Sequence, residues 1–239
     1  MVHAISRLRP KAVRSNRGGN MIIGHYAVGM AAKRWAPRTS LGTLFAAAAL
    51  LDLIWPVLVL AGIEIVAITP GATAVNPLTF VSYPWSHSLV MSIAWGILFG
   101  TVYLLVRRYL VGAVVVALLV VSHWLLDFVV HVPDLPLVPG NSPRVGLGLW
   151  NSLPASLAVE LVLFALGLWI YTRTTMARDL AGQWGLIGMT AFLLLIFAGA
   201  TFGPSPPNTA AIAYSDLGQW LIVVLAAWVD KHRRTNQRR

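Results

Sequence analysis

The sequence predicts an all-α fold: a polytopic membrane helix bundle with six full spans plus a short N-terminal half-helix. Three observations carry this. Of 239 residues, 57% are hydrophobic and 11% are charged, whereas soluble domains run at about 25% charged. The mean hydropathy is +0.72. Apolar stretches of about twenty residues, the length that crosses roughly 30 Å of hydrocarbon, recur along the chain. The ten Trp suit a protein anchored at two interfaces. The chain has no cysteine, which excludes disulfides, Cys-ligated zinc and iron–sulfur clusters. Its net charge of +10 does not point to nucleic acid, because the basic residues lie between the apolar segments and at the chain ends.

The elements follow in order. MIIGHYAVGMAA, 21–32, spans about 18 Å as a helix. That is too short to cross alone, so it is expected as a half-helix. Full spans are expected at 40–68, 86–106, 109–131, 152–172, 181–203 and 215–230. Alternate connections are basic: Lys33, Arg34 and Arg38, then Arg107 and Arg108, then Arg173 and Arg178, then Lys231, Arg233, Arg234, Arg238 and Arg239. The intervening loops at 69–85, 132–151 and 204–214 hold only Arg144. By the positive-inside rule the basic loops and the C-terminus are cytoplasmic. The organisation is then a basic extension (1–20), one transmembrane domain (21–230) and a basic tail (231–239). The extension carries Arg7, Arg9, Lys11, Arg14 and Arg17. It admits three readings: a re-entrant 21–32, a signal peptide ending near 32, or a functional start at Met21 with the half-helix beginning outside. Met21 is preferred, because a His within a signal peptide's apolar core is costly.

A charge at the bilayer centre costs at least about 2.5–3.5 kcal/mol. Nevertheless His25, Asp52, His123, Asp127 and Glu160 lie inside apolar segments, and His87 and His131 lie at segment ends. His123 and Asp127 are four residues apart and share a helix face. The expected topology brings most of these groups into the outer half of the bundle. Imidazole and carboxylate together are ligands for a divalent metal, zinc first and manganese or iron as alternatives. The candidate ligands are His25, Asp52, His87, His123 and Asp127. Glu160 and His131 are candidate general bases. The plainer readings are an ion pair for His123 and Asp127, a carbonyl-bonded imidazole for each other His, a supporting role for Glu160, and an interfacial helix end for His131. Asp134 and Glu64 read as solvated helix-end residues, Arg144 as an ordinary loop arginine, and His3 and His232 as tail residues.

The pieces GHYAVG, LLDLIWP, PWSHSL and VSHWLLDFVVHVPDLPL occur in that order over roughly 21–140. In this the chain resembles bacterial inner-membrane proteins described as predicted membrane-bound metal-dependent hydrolases. That family has a Gly-His near its start, then Pro-Asp-x-Asp-His-Pro, Thr-His-Ser-Leu and Ser-His-x-x-x-Asp. The resemblance implies a bacterial inner-membrane location and a metal site built on His25, Asp52, His87, His123 and Asp127. It also implies hydrolysis, and a site at the outer interface makes a lipid or lipid-linked ester or phosphoester the expected substrate class, with membrane lipid as the partner. This chain carries Ile54 and Trp55 where the family has its second Asp and its His. Two other function classes use the same groups: a permease with an ion or proton path, and a non-catalytic scaffold with a structural metal or polar network.

Overall fold

The computed structural model describes residues 23–236. The extension 1–20 and the choice of Met21 as start lie outside the described residues. The chain forms α1 (Ile23–Ala32), α2 (Leu41–Ala48), α3 (Leu50–Leu60), a hairpin of β1 (Ile65–Ile68) and β2 (Leu78–Ser82), and the one-turn helix α4 (Pro84–His87). Next come α5 (Leu89–Arg107), α6 (Leu110–Val130), the two-residue strands β3 (Leu135–Pro136) and β4 (Arg144–Val145), and α7 (Leu153–Thr174). The chain ends with β5 (Thr175–Ala177), α8 (Leu180–Phe202), α9 (Thr209–Leu217), α10 (Gln219–Lys231) and β6 (Arg233–Thr235). Helices α5, α6, α7, α8 and the α9–α10 segment are each long and apolar enough to cross a membrane. The protein is a multi-pass helical bundle.

The expected span at 40–68 is present in bent and shortened form: α2 and α3 together are long and apolar enough to cross a membrane but meet at 57°, and the chain leaves helical structure after Leu60. The bend falls at Ala49, where no Pro or Gly breaks the helix. Instead His123 Nδ1 sits 2.8 Å from the carbonyl of Ala48, the last residue of α2. A side chain inserted into the carbonyl ladder is a sufficient cause of a kink. Further on, Pro56 has no N–H for the carbonyl of Asp52, which loosens the turn that carries that residue. The loop expected at 69–85 is corrected, because it holds β2, which pairs antiparallel with β1 at the end of the expected span, and the start of α4. Inward and outward residues alternate along LTFVS, the period of a strand.

Small residues set the helix spacing. A Cβ at Gly96 or Gly100 of α5 would stand 2.8 or 2.9 Å from the carbonyls of Ala117 and Ala113 on α6. Gly167 of α7 meets the backbone of Ala27 on α1. Close approach through small residues is how membrane helices gain packing energy where lipid removes the hydrophobic drive. Helix α1 therefore runs along α7. Its Gly24 N–H donates to Glu160 Oε2 at 2.7 Å. At the other end Lys33 is buried, 2.6 Å from Asp230 and 2.8 Å from the Thr39 carbonyl. Tyr171 OH also donates to Asp230, at 2.8 Å.

The tail expected from 231 is not free at its start. Strand β6 pairs antiparallel with β5, and the buried Arg233 donates to Thr175 and the Gly182 carbonyl. His232 needs an explanation after all. Its Nδ1 lies 2.8 Å from Asp179, the N-cap of α8. That hydrogen bond holds the Asp179 carboxyl below its usual range.

Candidate metal centre

Four elements meet at the hairpin end of the bundle. Helix α1 brings His25, α3 brings Asp52, α4 brings His87, and α6 brings His123 and Asp127. His123 Nε2 lies 3.2 Å from Asp127 Oδ2 and 3.6 Å from Asp52 Oδ1. His87 Nε2 lies 3.3 Å from Asp52 Oδ1 and 3.7 Å from Asp127 Oδ2. His25 Nε2 lies 3.3 Å from Asp127 Oδ1. The rings of His25 and His123 stack at 3.8 Å. Five residues spread over a hundred positions of sequence thus converge on one point. All are buried except Asp52, whose side chain is 27% exposed.

The outer contacts fix the imidazole tautomers. The Ala48 carbonyl can only accept, so His123 Nδ1 carries a proton and a neutral ring leaves its Nε2 lone pair toward the carboxylates. His87 Nδ1 lies 2.7 Å from Ser86 Oγ, whose own proton goes to Glu64 Oε2 at 2.6 Å. Ser86 Oγ therefore accepts from His87, and His87 Nε2 is likewise left bare. Glu64 also takes the N–H groups of Trp85 and Ser86, each at 2.8 Å. It is buried, so the expectation of a solvated helix-end residue is corrected: its three hydrogen bonds to Trp85 and Ser86 tie the α4 turn to the segment that follows α3.

His123 Nε2 and Asp127 Oδ2 face each other at 3.2 Å, yet neither has a hydrogen-bond partner among the described residues. A nitrogen lone pair against a carboxylate oxygen repels; a proton on Nε2 makes the contact an ion pair, and a metal cation between the two makes it a ligand edge. Ligand atoms about 2.0–2.1 Å from a tetrahedral ion lie roughly 3.3–3.4 Å apart, which matches the 3.2–3.7 Å separations here. Two ligand groups are possible, His25 with Asp52 and His123, or His87 with His123 and Asp127. They share His123, whose single Nε2 serves one ion at a time. The donor set of imidazoles and carboxylates fits zinc, manganese or iron.

The remaining candidates divide. His131 lines the same small cavity of about 20 Å³, with Trp55, Phe80 and Trp150, which is room for about one water. Its Nδ1 lies 2.9 Å from Asp134 Oδ1, and Tyr83 OH donates to the same carboxylate at 3.2 Å. Asp134 is therefore a partner and not a solvated end, which corrects that reading. Glu160 lines a separate cavity with Ser156 and Thr201 and holds the first turn of α1. Arg144 is exposed, and its guanidinium donates to the Phe80 and Val81 carbonyls at 3.2 and 2.8 Å, clamping β2. Asp216 of α9, passed over in the sequence, lines the same cavity as His25, Asp52, His87 and Asp127. The signal was present: Asp216 is an acid within the apolar run TAAIAYSDLGQWLIVV, the same feature that singled out Asp52. No family model, no curated protein and no solved structure matches this chain.

Proposed function

We propose that the protein is a metal-dependent hydrolase of a lipid or lipid-linked ester or phosphoester. Its place would be the bacterial inner membrane, with the C-terminus cytoplasmic and the centre in the outer half of the bilayer. The observation that carries this reading is the facing pair His123 Nε2 and Asp127 Oδ2, buried and without hydrogen-bond partners among the described residues. The pair is ringed by His25, His87 and Asp52 at ligand-edge separations. His123 and Asp127, with His25, His87 and Asp52 around them, would hold a divalent ion, which would supply Lewis acidity toward a substrate oxygen and a lowered pKa for a bound water.

The chain's own residues do the rest. Asp134 accepts the Nδ1 proton of His131 and turns the bare Nε2 of that ring to proton transfer, the geometry of a base oriented by a carboxylate. His131 takes a proton from the attacking water. The water oxygen forms the new bond to the acyl or phosphoryl centre, the bond to the leaving alcohol breaks, and the same proton ends on that alcohol. Glu160 acts at one remove, by fixing the first turn of α1 and with it His25. Trp55, Phe80 and Trp150 give the cavity apolar walls.

Elemental analysis of the purified protein tests the reading. Wild type is expected to hold about one divalent ion per chain, and His123→Ala and Asp127→Ala to hold none. A folded wild type without metal overturns it.

A further inference from the structure

We infer that the large cavity between α8 and the α9–α10 segment binds one hydrocarbon chain of a lipid whose uncharged ester or amide head reaches the His/Asp centre past Asp216. The inference rests on the hydrolase reading and specifies the chain and the head charge of its substrate. The cavity has a volume of about 550 Å³, within the roughly 300–1,000 Å³ of ligand pockets. Phe192 and Ile196 of α8 and Ile212, Leu221 and Ile222 of α9–α10 make its walls apolar. Both helical segments are long and apolar enough to cross the membrane. Their neighbouring faces expose Leu195 and Val224, so the surrounding medium is itself hydrocarbon. A lipid chain is the occupant such a medium supplies.

The large cavity adjoins the small one at the histidines across Asp216, which lines both. A chain in the large cavity thus places its head beside Asp52, the one partly exposed member of the His/Asp cluster.

Charge selects the head. Asp52 and Asp127 together bring two negative charges, which one divalent ion balances with neutral imidazoles. Neither cavity is lined by Lys or Arg, and Arg144 is engaged on the β2 carbonyls. A phosphate head would add negative charge beside Asp216 with no second cation to meet it, at the cost that a low-dielectric site puts on unpaired charge. A carbonyl ester or amide adds none.

Two substitutions fill the cavity away from the centre. Gly199 lines it, and a Cβ there would meet nothing within 4 Å. Ala211 lines it on α9. The full-length protein in phosphatidylcholine nanodiscs is irradiated with two probes: a hexadecanoate methyl ester and a hexadecyl phosphate, each carrying a mid-chain diazirine. Labelled peptides are mapped by mass spectrometry and metal content is measured in parallel. The ester probe is expected to label α8 and α9 at least about fivefold more than the phosphate probe, and to lose that labelling about fivefold in both Gly199→Trp and Ala211→Trp, with metal unchanged. Labelling spread evenly around the lipid-facing perimeter, labelling indifferent to both tryptophans, or preference for the phosphate probe overturns the inference. Metal-free wild type that still labels at the cavity defeats the hydrolase reading and leaves the chain site standing.

Discussion

Glu64 shows how a single side chain can govern a centre it does not touch. Its Oε2 takes the Ser86 hydroxyl proton, so Ser86 must accept from His87 Nδ1, and His87 Nε2 is left as a lone pair facing Asp52 and Asp127. In Glu64→Gln the side-chain amide can donate to Ser86, which frees the hydroxyl to donate to His87 and protonates the wrong ring nitrogen. Outer partners of this kind are worth about 10–100-fold in metal affinity. A chelator-competition titration of Glu64→Gln and Ser86→Ala is expected to show a loss of that size, and unchanged affinity in both would remove the relay from the account. Little of this was legible in the sequence. Glu64 closes an apolar stretch, where an acid is usually solvated, and its partners Trp85 and Ser86 arrive only after the hairpin. Asp216 was legible and overlooked, since an acid in an apolar run is a signal wherever it falls.

Elements were read well where a segment's own composition decides its structure and poorly where a distant residue does. The runs behind α5, α6, α7 and α8 announce themselves by length and hydropathy, and structure follows within a few residues at each end. The bend between α2 and α3 could not be read, because its cause is the His123 imidazole on the Ala48 carbonyl, 75 positions away. The half-height of α1 was legible from its twelve-residue apolar run, but its docking was not. That docking depends on Gly167, where any Cβ would overlap the backbone of Ala27. Gly167→Leu is expected to cost about 1–3 kcal/mol as an overpacked contact and to lower bound metal, because His25 rides on α1. A Cβ at Gly188 on α8 would meet nothing within 4 Å, so Gly188→Leu is expected to stay within about 0.5 kcal/mol of wild type. Thermal unfolding in one detergent compares them, and equal midpoints would mean that α1 packs loosely against α7.

At the scale of the molecule the two ends differ in charge, and the difference bears on where chemistry happens. One end gathers Arg107, Arg108, Arg173, Arg178 and Lys231, with Lys33 and Arg233 buried in their own hydrogen bonds. The other carries the hairpins, the His/Asp centre and Arg144. Basic residues resist translocation, so the first end should face the cytoplasm and the centre should open toward the outer leaflet. Because the chain has no cysteine, an introduced one reports alone. Asn141, beside β4, and Lys231, closing α10, are both exposed and lie at opposite ends. In intact cells a membrane-impermeant maleimide is expected to label Asn141→Cys at once and Lys231→Cys only after the membrane is permeabilised. The reverse pattern would turn the bundle over, place the cavity at Asp216 in the cytoplasmic half, and restrict its substrates to lipids of the inner leaflet.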